Sequence, residues 1–320
     1  MANFVFFDGF LKSGYTNLLF FLPDQAYSSL CSFHVYTKLL YFRSLKNPRE
    51  MNVKEFFSLF EEELKANKEL TDYHRVVNSP KLYYFRRAYL EQRFDFVMKE
   101  VTKPGAKVWD VGCGFGTTSI LLALNGFTVV GTTLEYYYEQ MQERLKFWSQ
   151  YGDLSNLSFE YKNMFDESPE PQSFDYIVAQ DTLHHLEPFD QAVKIFHEVL
   201  KPGGKIIVSE ENGNNIVCNI KHFRERGFRR VKTIYDERLE KDILIGDENT
   251  RSLKKWREEF SIMPFKFDEE SIEYIRYYFP GKYTGSNTDE IIAEEQQLWK
   301  KNAFKREAMF FGMNFTIDKK

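Results

Sequence analysis

The stretch VWDVGCGFGTTSI at residues 108–120 decides the fold. A short apolar segment ends at Asp110, three glycines follow at alternate positions (Gly112, Gly114 and Gly116), and an apolar helical run comes next. Glycine has no Cβ, so it adopts positive φ values and lets a ligand approach the backbone closely. A strand, a glycine turn and a helix in this order predict a βα unit that binds a ligand at the amino end of its helix.

The spacing of the glycines separates two classes of cofactor site. A dinucleotide-binding turn reads G-x-G-x-x-G, and counting from Gly112 its third glycine would fall at Thr117. The chain reads D-x-G-x-G-x-G instead. The usual acid of a dinucleotide site is also missing directly after the second predicted strand. Both observations disfavour a NAD-dependent dehydrogenase.

The segments that follow continue an alternation of strands and helices. Short β-branched or alternating runs predict strands at 127–131, 157–161, 174–179 and 205–209. Apolar residues at helical spacing predict helices at 136–151 and 190–200. Strands that alternate with helices predict a parallel sheet covered on both faces.

Three segments resemble sequence motifs of class I S-adenosylmethionine-dependent methyltransferases. They are the glycine turn, the run FDYIVAQDTLHHL at 174–186 and the run LKPGGKIIV at 200–208. The resemblance covers residues 80–210 and includes features of the cyclopropane-fatty-acid synthase branch and of the quinone and sterol methyltransferase branches. It implies an α/β fold with a doubly wound, seven-stranded, Rossmann-like sheet, and S-adenosylmethionine as the cofactor.

The resemblance also implies which residues hold the cofactor. Asp110 and the three glycines would lie at its amino-acid end, Thr133 or Glu135 at the ribose, and Asn163 with Met164 at the adenine. Thr133 stands where most relatives carry an acid, although the cyclopropane-synthase branch also has threonine there. Asn163 stands where an aspartate is common. The alternatives are a first-turn helix acid for Glu135 and a turn residue for Asn163.

The residues after the fourth strand point to the reaction centre, because ligands in open α/β sheets bind beyond the carboxyl ends of the strands. Gln180 is assigned to the cofactor, Asp181 to the substrate, and His184 and His185 to catalysis. His184 is the first choice for a base, and packing is the alternative role for His185. The cyclopropane-synthase branch has a Glu-His pair where this chain has two histidines, which disfavours cyclopropane chemistry.

The chain outside the core predicts a cap and a lid. The predicted parts are a mainly helical cap (1–100), the cofactor-binding core (101–210), a lid insertion (211–250) and the closing part of the core (251–320), which has strands at 265–267 and 309–317 and a helical insertion near 288–307. The cap also offers a homodimer or membrane-surface contact. In the lid, Arg229 and Arg230 predict recognition of an anionic substrate group. A solvated surface paired with nearby acids is the alternative.

Composition narrows the partners and the compartment. A formal net charge of −4 implies no general affinity for nucleic acid. The run after strand four also lacks the Asn/Asp-Pro-Pro-aromatic pattern of nucleic-acid methyltransferases. Three cysteines without C-x-x-C spacing favour a reducing cytoplasm and indicate no disulfide framework or metal site. The apolar runs near the start of the chain are too short to span a membrane.

Together these features predict transfer of a methyl group to a small or lipid-like metabolite, with an anionic group as one option. The displacement at a sulfonium is in line, so the protein must align the acceptor, exclude water and manage one proton. The atom methylated, whether O, N or C, stays open. The alternative is a non-catalytic cofactor-binding or scaffold protein, because Thr133 and Asn163 replace common acids.

Overall fold

Seven strands form one mixed sheet within residues 51–320, the part of the chain that the computed structural model describes. Their order is β3-β2-β1-β4-β5-β9-β8, and a separate hairpin pairs β6 with β7. The strand bounds are β1 Lys107–Val111, β2 Thr128–Thr133, β3 Leu157–Tyr161, β4 Phe174–Gln180, β5 Leu200–Glu211, β6 Val231–Asp236, β7 Lys241–Gly246, β8 Phe265–Ile275 and β9 Gly312–Lys319. The first five strands pair in parallel, and β9 is antiparallel to both of its neighbours.

Ten α-helices connect and cover these strands in the same part of the chain. Their bounds are α1 Val53–Ala66, α2 Lys68–His74, α3 Tyr83–Glu100, α4 Thr117–Leu124, α5 Met141–Trp148, α6 Phe189–Val199, α7 Ile216–Arg226, α8 Leu253–Phe260, α9 Thr288–Lys301 and α10 Ala303–Met309. The seven-stranded doubly wound sheet confirms the predicted fold class. Strand order reverses between β1 and β4, which is where open α/β sheets bind their ligands.

The central strands are buried on both faces. In β4 every residue from Phe174 to Ala179 is buried, and only the last, Gln180, is half-buried. A strand covered by helices on both sides reads as a near-continuous apolar run, as this one does. Trp109 of β1 packs in the same core, with its ring stacked on Phe174 and its indole N–H donated to Thr132.

The structure differs from the sequence-based prediction at several element boundaries. The predicted helix 136–151 begins as a 3₁₀ turn, Tyr136–Gln140, and becomes α-helical only at Met141. The Tyr138 hydroxyl donates to the Phe159 carbonyl of β3, which ties this turn to the edge of the sheet. The predicted helical insertion near 288–307 is two helices, because Asn302 ends α9 and its side chain caps α10 by accepting from the Lys305 N–H.

The cap and the lid contain elements that pack around the carboxyl ends of the strands. Residues 51–100 form α1, α2 and α3, whereas residues 1–50, and any dimer contact that they were predicted to make, lie outside the described part. The insertion after β5 contains α7 and the β6–β7 hairpin, which the sequence did not predict. Within residues 51–320 every helix is too short or too polar to cross a bilayer.

Candidate active site

The glycine turn joins β1 to α4 with a backbone that glycine alone adopts readily. Gly112, Gly114 and Gly116 have φ values of +64°, +55° and +71°. A Cβ on Gly112 would lie 2.4 Å from Thr182, and a Cβ on Gly116 would lie 2.4 Å from Phe159. Both the backbone and the neighbouring side chains therefore require glycine here.

Asp110 lies behind this turn and supports it. Its buried carboxylate accepts a hydrogen bond from the Ser119 hydroxyl at 2.5 Å, in the first half of α4. Burial raises the pKa of Asp110 to about 7, against the lowering effect of the Ser119 hydrogen bond. The carboxyl group thus links the end of β1 to the helix that follows the turn.

A buried ion pair ties the cap to the glycine turn. Arg144 of α5 and Glu63 of α1 pair at 2.6 Å, and the Trp148 indole donates to the same carboxylate at 2.8 Å. Arg144 also donates to the Phe115 carbonyl and, at 3.0 Å, to the Thr117 hydroxyl. The helical pattern of 136–151 did not predict this arrangement, because it consists of apolar residues and Arg144 is not one of them.

The residues predicted for the ribose and the adenine lie at or just after the ends of β2 and β3, which are neighbours in the sheet. Thr133 is buried, and its hydroxyl accepts from the Glu135 N–H at 3.2 Å. Asn163 is buried and its side-chain oxygen accepts from the Phe165 N–H at 3.1 Å, which is the turn role given as its alternative. The Met164 side chain packs in the core, so only its backbone is left to meet a ligand.

Gln180 presents an unsatisfied donor at the end of β4. Its side-chain oxygen accepts from the Thr118 hydroxyl at 2.5 Å, which places it beside the first turn of α4. Its Nε2 atom is buried and has no hydrogen-bond partner within residues 51–320. Leaving a buried donor unpaired costs about 1–3 kcal/mol. A polar ligand atom beside the glycine turn would remove that cost.

His184 is held by a carboxylate that the sequence analysis did not identify. Its Nδ1 lies 2.6 Å from Glu210 at the end of β5, and the other oxygen of Glu210 accepts from the Thr182 and Leu183 N–H groups. Burial alone would lower the pKa of His184, but Glu210 outweighs burial and raises it to about 10. The carboxyl-end rule that pointed to His184 applies equally to β5 and would have found Glu210.

His185 lies beside His184, with ring centroids 4.1 Å apart, and contacts the lid hairpin. Its Nδ1–H donates to the Gly246 carbonyl at 3.0 Å. Burial and the neighbouring His184 lower the pKa of His185. A Cβ on Gly246 would lie 1.9 Å from the His184 carbonyl oxygen, so glycine is what lets β7 come this close. The hairpin thereby covers both histidines.

Asp181 is positioned by the cap. It has a φ of +49°, and its carboxylate pairs with Arg93 of α3 at 2.7 Å, with the Tyr89 hydroxyl 3.4 Å away. Arg93 is buried, whereas the Asp181 side chain is 38% exposed. The carboxylate thus has a fixed orientation and an accessible edge.

Arg229 and Arg230 are exposed on the lid. Arg229 pairs with Asp247 at 3.6 Å and its side chain is 65% exposed, while Arg230 donates to the Thr250 carbonyl. This placement resembles the solvated surface given as their alternative, with Asp247 as the nearby acid.

Glu211, His222 and Glu248 extend the ionisable cluster beyond His184. Glu211 ends β5, His222 lies on α7, and Glu248 follows β7 with a φ of +52°. Burial raises the pKa of Glu211 to about 7 and lowers that of His222 to about 4. No local sequence pattern marks this group, because its members are brought together only by the lid.

Comparison with known proteins gives matches to the central part of the chain. A family model described as a methyltransferase domain matches residues 102–264. Phosphoethanolamine N-methyltransferase 1 of Arabidopsis thaliana is 31% identical over 121 residues, which are 38% of this chain and 24% of that protein. A ubiquinone biosynthesis O-methyltransferase of Xylella fastidiosa is 33% identical over 125 residues, 38% of this chain and 48% of that protein.

The chain thus spans about half or less of the length of these two relatives. Among solved structures, a putative S-adenosylmethionine-dependent methyltransferase from Listeria monocytogenes superposes with a TM-score of 0.48 at 17% identity. That superposition covers 72% of this chain and 97% of the other.

Proposed function

This chain belongs to the methyltransferase-domain family, and we propose that it transfers a methyl group from S-adenosylmethionine to a small metabolite. The observation that carries the proposal is the glycine turn at the end of β1. Its three glycines all have positive φ, and it lies where the strand order reverses between β1 and β4. That position is the ligand site of open α/β sheets.

The residues around this turn fit the cofactor. The Nε2 of Gln180, which has no hydrogen-bond partner among residues 51–320, would meet a polar group of the cofactor, and the glycine backbone would meet its amino-acid end. Thr133 or Glu135 would meet the ribose, and the backbone at Asn163 and Met164 the adenine. When bound, the cofactor supplies an activated methyl group on a positively charged sulfur.

The proton released by an O or N acceptor needs a base, and the geometry favours His185 over His184. The Nδ1–H of His185 donates to the Gly246 carbonyl, which leaves Nε2 as the unprotonated ring nitrogen. The Nδ1 of His184 is engaged too, but its partner is the carboxylate of Glu210, which raises the pKa of His184 to about 10, so this ring is already protonated at neutral pH and is the poorer base. Glu210 positions His184 and, through the Thr182 and Leu183 N–H groups, the loop that carries both histidines, and the hairpin over both rings excludes water.

We propose that the acceptor is a small or lipid-like metabolite held between the strand ends, Asp181 and the lid.

Replacing both Arg229 and Arg230 with alanine tests whether they recognise an anionic group of the acceptor. Because both side chains are exposed, we expect the KM of the acceptor to change less than about twofold. A rise of tenfold or more in this KM, at unchanged kcat, would show instead that the two arginines bind the acceptor.

We propose a cytoplasmic location, a small-molecule acceptor and no nucleic-acid substrate. The thiols of Cys113 and Cys218 are free, as a reducing compartment would keep them. A homodimer through the cap remains part of the proposal, and sedimentation of the full chain measures it.

Calorimetric titration of S-adenosylmethionine and of its demethylated product tests the cofactor. We expect micromolar binding to the wild-type protein and about tenfold weaker binding to Glu135→Gln, because a charged acceptor is lost. Glu139→Gln, in the same turn and mostly exposed, is the matched control and should bind like wild type. Absence of binding to folded wild-type protein would refute the proposal.

A turnover assay distinguishes a methyltransferase from a non-catalytic scaffold protein that only binds the cofactor. A mixture of small acids, phenols and amines is incubated with the protein and labelled cofactor, and methylated products are found by mass spectrometry. Cofactor binding with no product from any acceptor class would favour the scaffold reading.

A further inference from the structure

A second constellation in this region has the composition of a metal site. Glu211, His222 and Glu248 come from the end of β5, from α7 and from the loop after β7. One donor atom from each lies within 4.8 Å of the other two. Neither the glycine turn nor the His184–Glu210 pair accounts for this arrangement.

The buried atoms of this cluster are not satisfied by hydrogen bonds. The His222 side chain is 1% exposed, yet neither of its ring nitrogens has a hydrogen-bond partner among the described residues. The Oε2 atom of Glu211 is buried and likewise has no hydrogen-bond partner within residues 51–320, although it is within ion-pair distance of His222. Buried polar groups in folded proteins are almost always paired, so an unpaired imidazole facing two carboxylates calls for a ligand.

The separations of the donors match the edges of a metal coordination polyhedron. The Nε2 of His222 lies 3.4 Å from Glu211 Oε2 and 3.5 Å from Glu248 Oε2. Zinc binds histidine nitrogen and carboxylate oxygen at about 2.0–2.2 Å, and neighbouring ligands of a tetrahedral ion at that distance lie about 3.4 Å apart. Two of the three donor separations thus match such an edge, and the third, between the two carboxylates, is within 4.8 Å.

We propose that Glu211, His222 and Glu248 bind one divalent transition-metal ion, with Zn²⁺ as the reference case. Two carboxylates and a neutral imidazole balance the charge of a divalent cation, which offsets the cost of holding two half-buried acids beside the buried His222. One nitrogen and two oxygen donors favour zinc, manganese, iron or cobalt over magnesium and calcium, which prefer oxygen alone.

Three protein ligands leave one coordination position open, as catalytic metal sites do. His184 lies beside this cluster, since its Nε2 is 4.0 Å from Glu248 Oε2. An oxygen of the acceptor would fill the open position, a part of the inference that rests on the proposed function. The binding of the ion itself does not.

The test measures metal binding directly, without cofactor or acceptor. Full-length protein without a histidine tag is stripped with a chelator, dialysed, and titrated with Zn²⁺ against a chelator of known affinity. Co²⁺ replaces Zn²⁺ in a parallel sample, where tetrahedral coordination gives intense visible absorption bands. We expect one ion per chain and a higher melting temperature with Zn²⁺.

Two variants connect the binding to these residues. Glu248→Gln should weaken Zn²⁺ binding at least tenfold and remove the cobalt bands, and His222→Gln should do the same if it stays folded by circular dichroism. Asp247→Asn, next to Glu248 but paired with Lys232, is the matched control and should bind like wild type.

Two results would overturn the metal site. One is stripped wild-type protein that takes up no stoichiometric Zn²⁺ or Co²⁺, which would mean that protons alone neutralise the cluster. The other is equal binding by wild type and Glu248→Gln, which would place the ion elsewhere. Because the calorimetry of the cofactor is a separate measurement, failure here leaves the proposed methyl transfer standing.

Discussion

At the scale of single residues, the charged groups in the core do most to organise the site. Arg144 is 1% exposed, and its guanidinium reaches Glu63 of the cap as well as the Phe115 carbonyl of the glycine turn. A buried ion pair of this kind contributes little net stability, because the cost of removing both charges from water offsets their attraction. Breaking it leaves an unpaired buried charge, which makes it a sensitive point for mutation.

Replacing Glu63 with alanine should therefore destabilise the protein by about 3–5 kcal/mol, because Arg144 would stay buried without its partner. Urea unfolding followed by tryptophan fluorescence measures the change. Glu62→Ala, at the exposed neighbouring position, should stay within about 0.5 kcal/mol of wild type. Equal stability of the two variants would show that the pair contributes nothing to holding the cap.

Asp110 should make the free energy of unfolding depend on pH. Its pKa is raised from 3.8 to about 7 in the folded protein, so the folded state holds a proton that the unfolded state has lost between these values. Stability from this group therefore falls as pH rises through that window and levels off above it. Between pH 5 and pH 8, wild type should lose on the order of 2 kcal/mol more than Asp110→Asn, which cannot titrate.

Urea unfolding of both proteins at the two pH values, in the absence of ligands, measures this difference. Taking the difference between the proteins cancels the other groups that titrate in the same range. Parallel losses in wild type and variant would mean that Asp110 is already ionised at pH 5.

At the scale of elements, the glycine turn combines an unusual backbone with tight packing. Gly116 is the N-cap of α4 at a φ of +71°, and a Cβ there would meet Phe159. Gly105, in the turn before β1, has a similar φ of +64° but nothing within 4 Å of the added Cβ. The two positions separate backbone strain from steric overlap.

Alanine at Gly105 should cost about 1 kcal/mol, since only the positive φ opposes it. Alanine at Gly116 should cost a further 1–3 kcal/mol or so, because Phe159 must also move. Thermal unfolding of the two variants measures both. If they were equally stable, Phe159 would be free to yield, and the turn would be less tightly packed than the structure indicates.

At the scale of the whole molecule, the site is assembled from distant parts of the chain. The strand ends supply Gln180 and Glu210, the cap supplies Arg93, and the lid supplies Gly246 and Glu248. A two-stranded hairpin has little stability of its own, so the lid depends on its contacts with the sheet. One of these is the Tyr161 hydroxyl of β3, which donates to Asp236 of the hairpin at 2.8 Å.

Tyr161→Phe should loosen the hairpin by about 1 kcal/mol and speed amide exchange of 231–246 about fivefold, leaving β1 and β4 unchanged. Hydrogen–deuterium exchange by mass spectrometry measures this. Tyr235→Phe, whose ring is mostly exposed on the same hairpin, should exchange like wild type. Equal exchange in all three proteins would show that other contacts hold the lid.

The parts of the fold that were predicted correctly depend on local signals. Strand β3 was predicted at its observed bounds, and β1, β2 and β4 within two residues, because alternation and apolar runs are visible in short windows. The first turn of the predicted helix 136–151 was wrong, since a contact of Tyr138 with β3 sets its geometry. The roles of the predicted site residues stay predictions.

The sequence by itself determined the sheet through β5, the glycine turn and the side of the sheet where the site lies. These follow from backbone preferences and periodicities that act over a few residues. Only the tertiary structure decided that Glu210 holds His184, that Arg144 joins the cap to the turn, and that His222 faces Glu211 and Glu248. Such pairings join residues far apart in the chain, and no local period encodes which charged side chains meet once the cap and lid have packed.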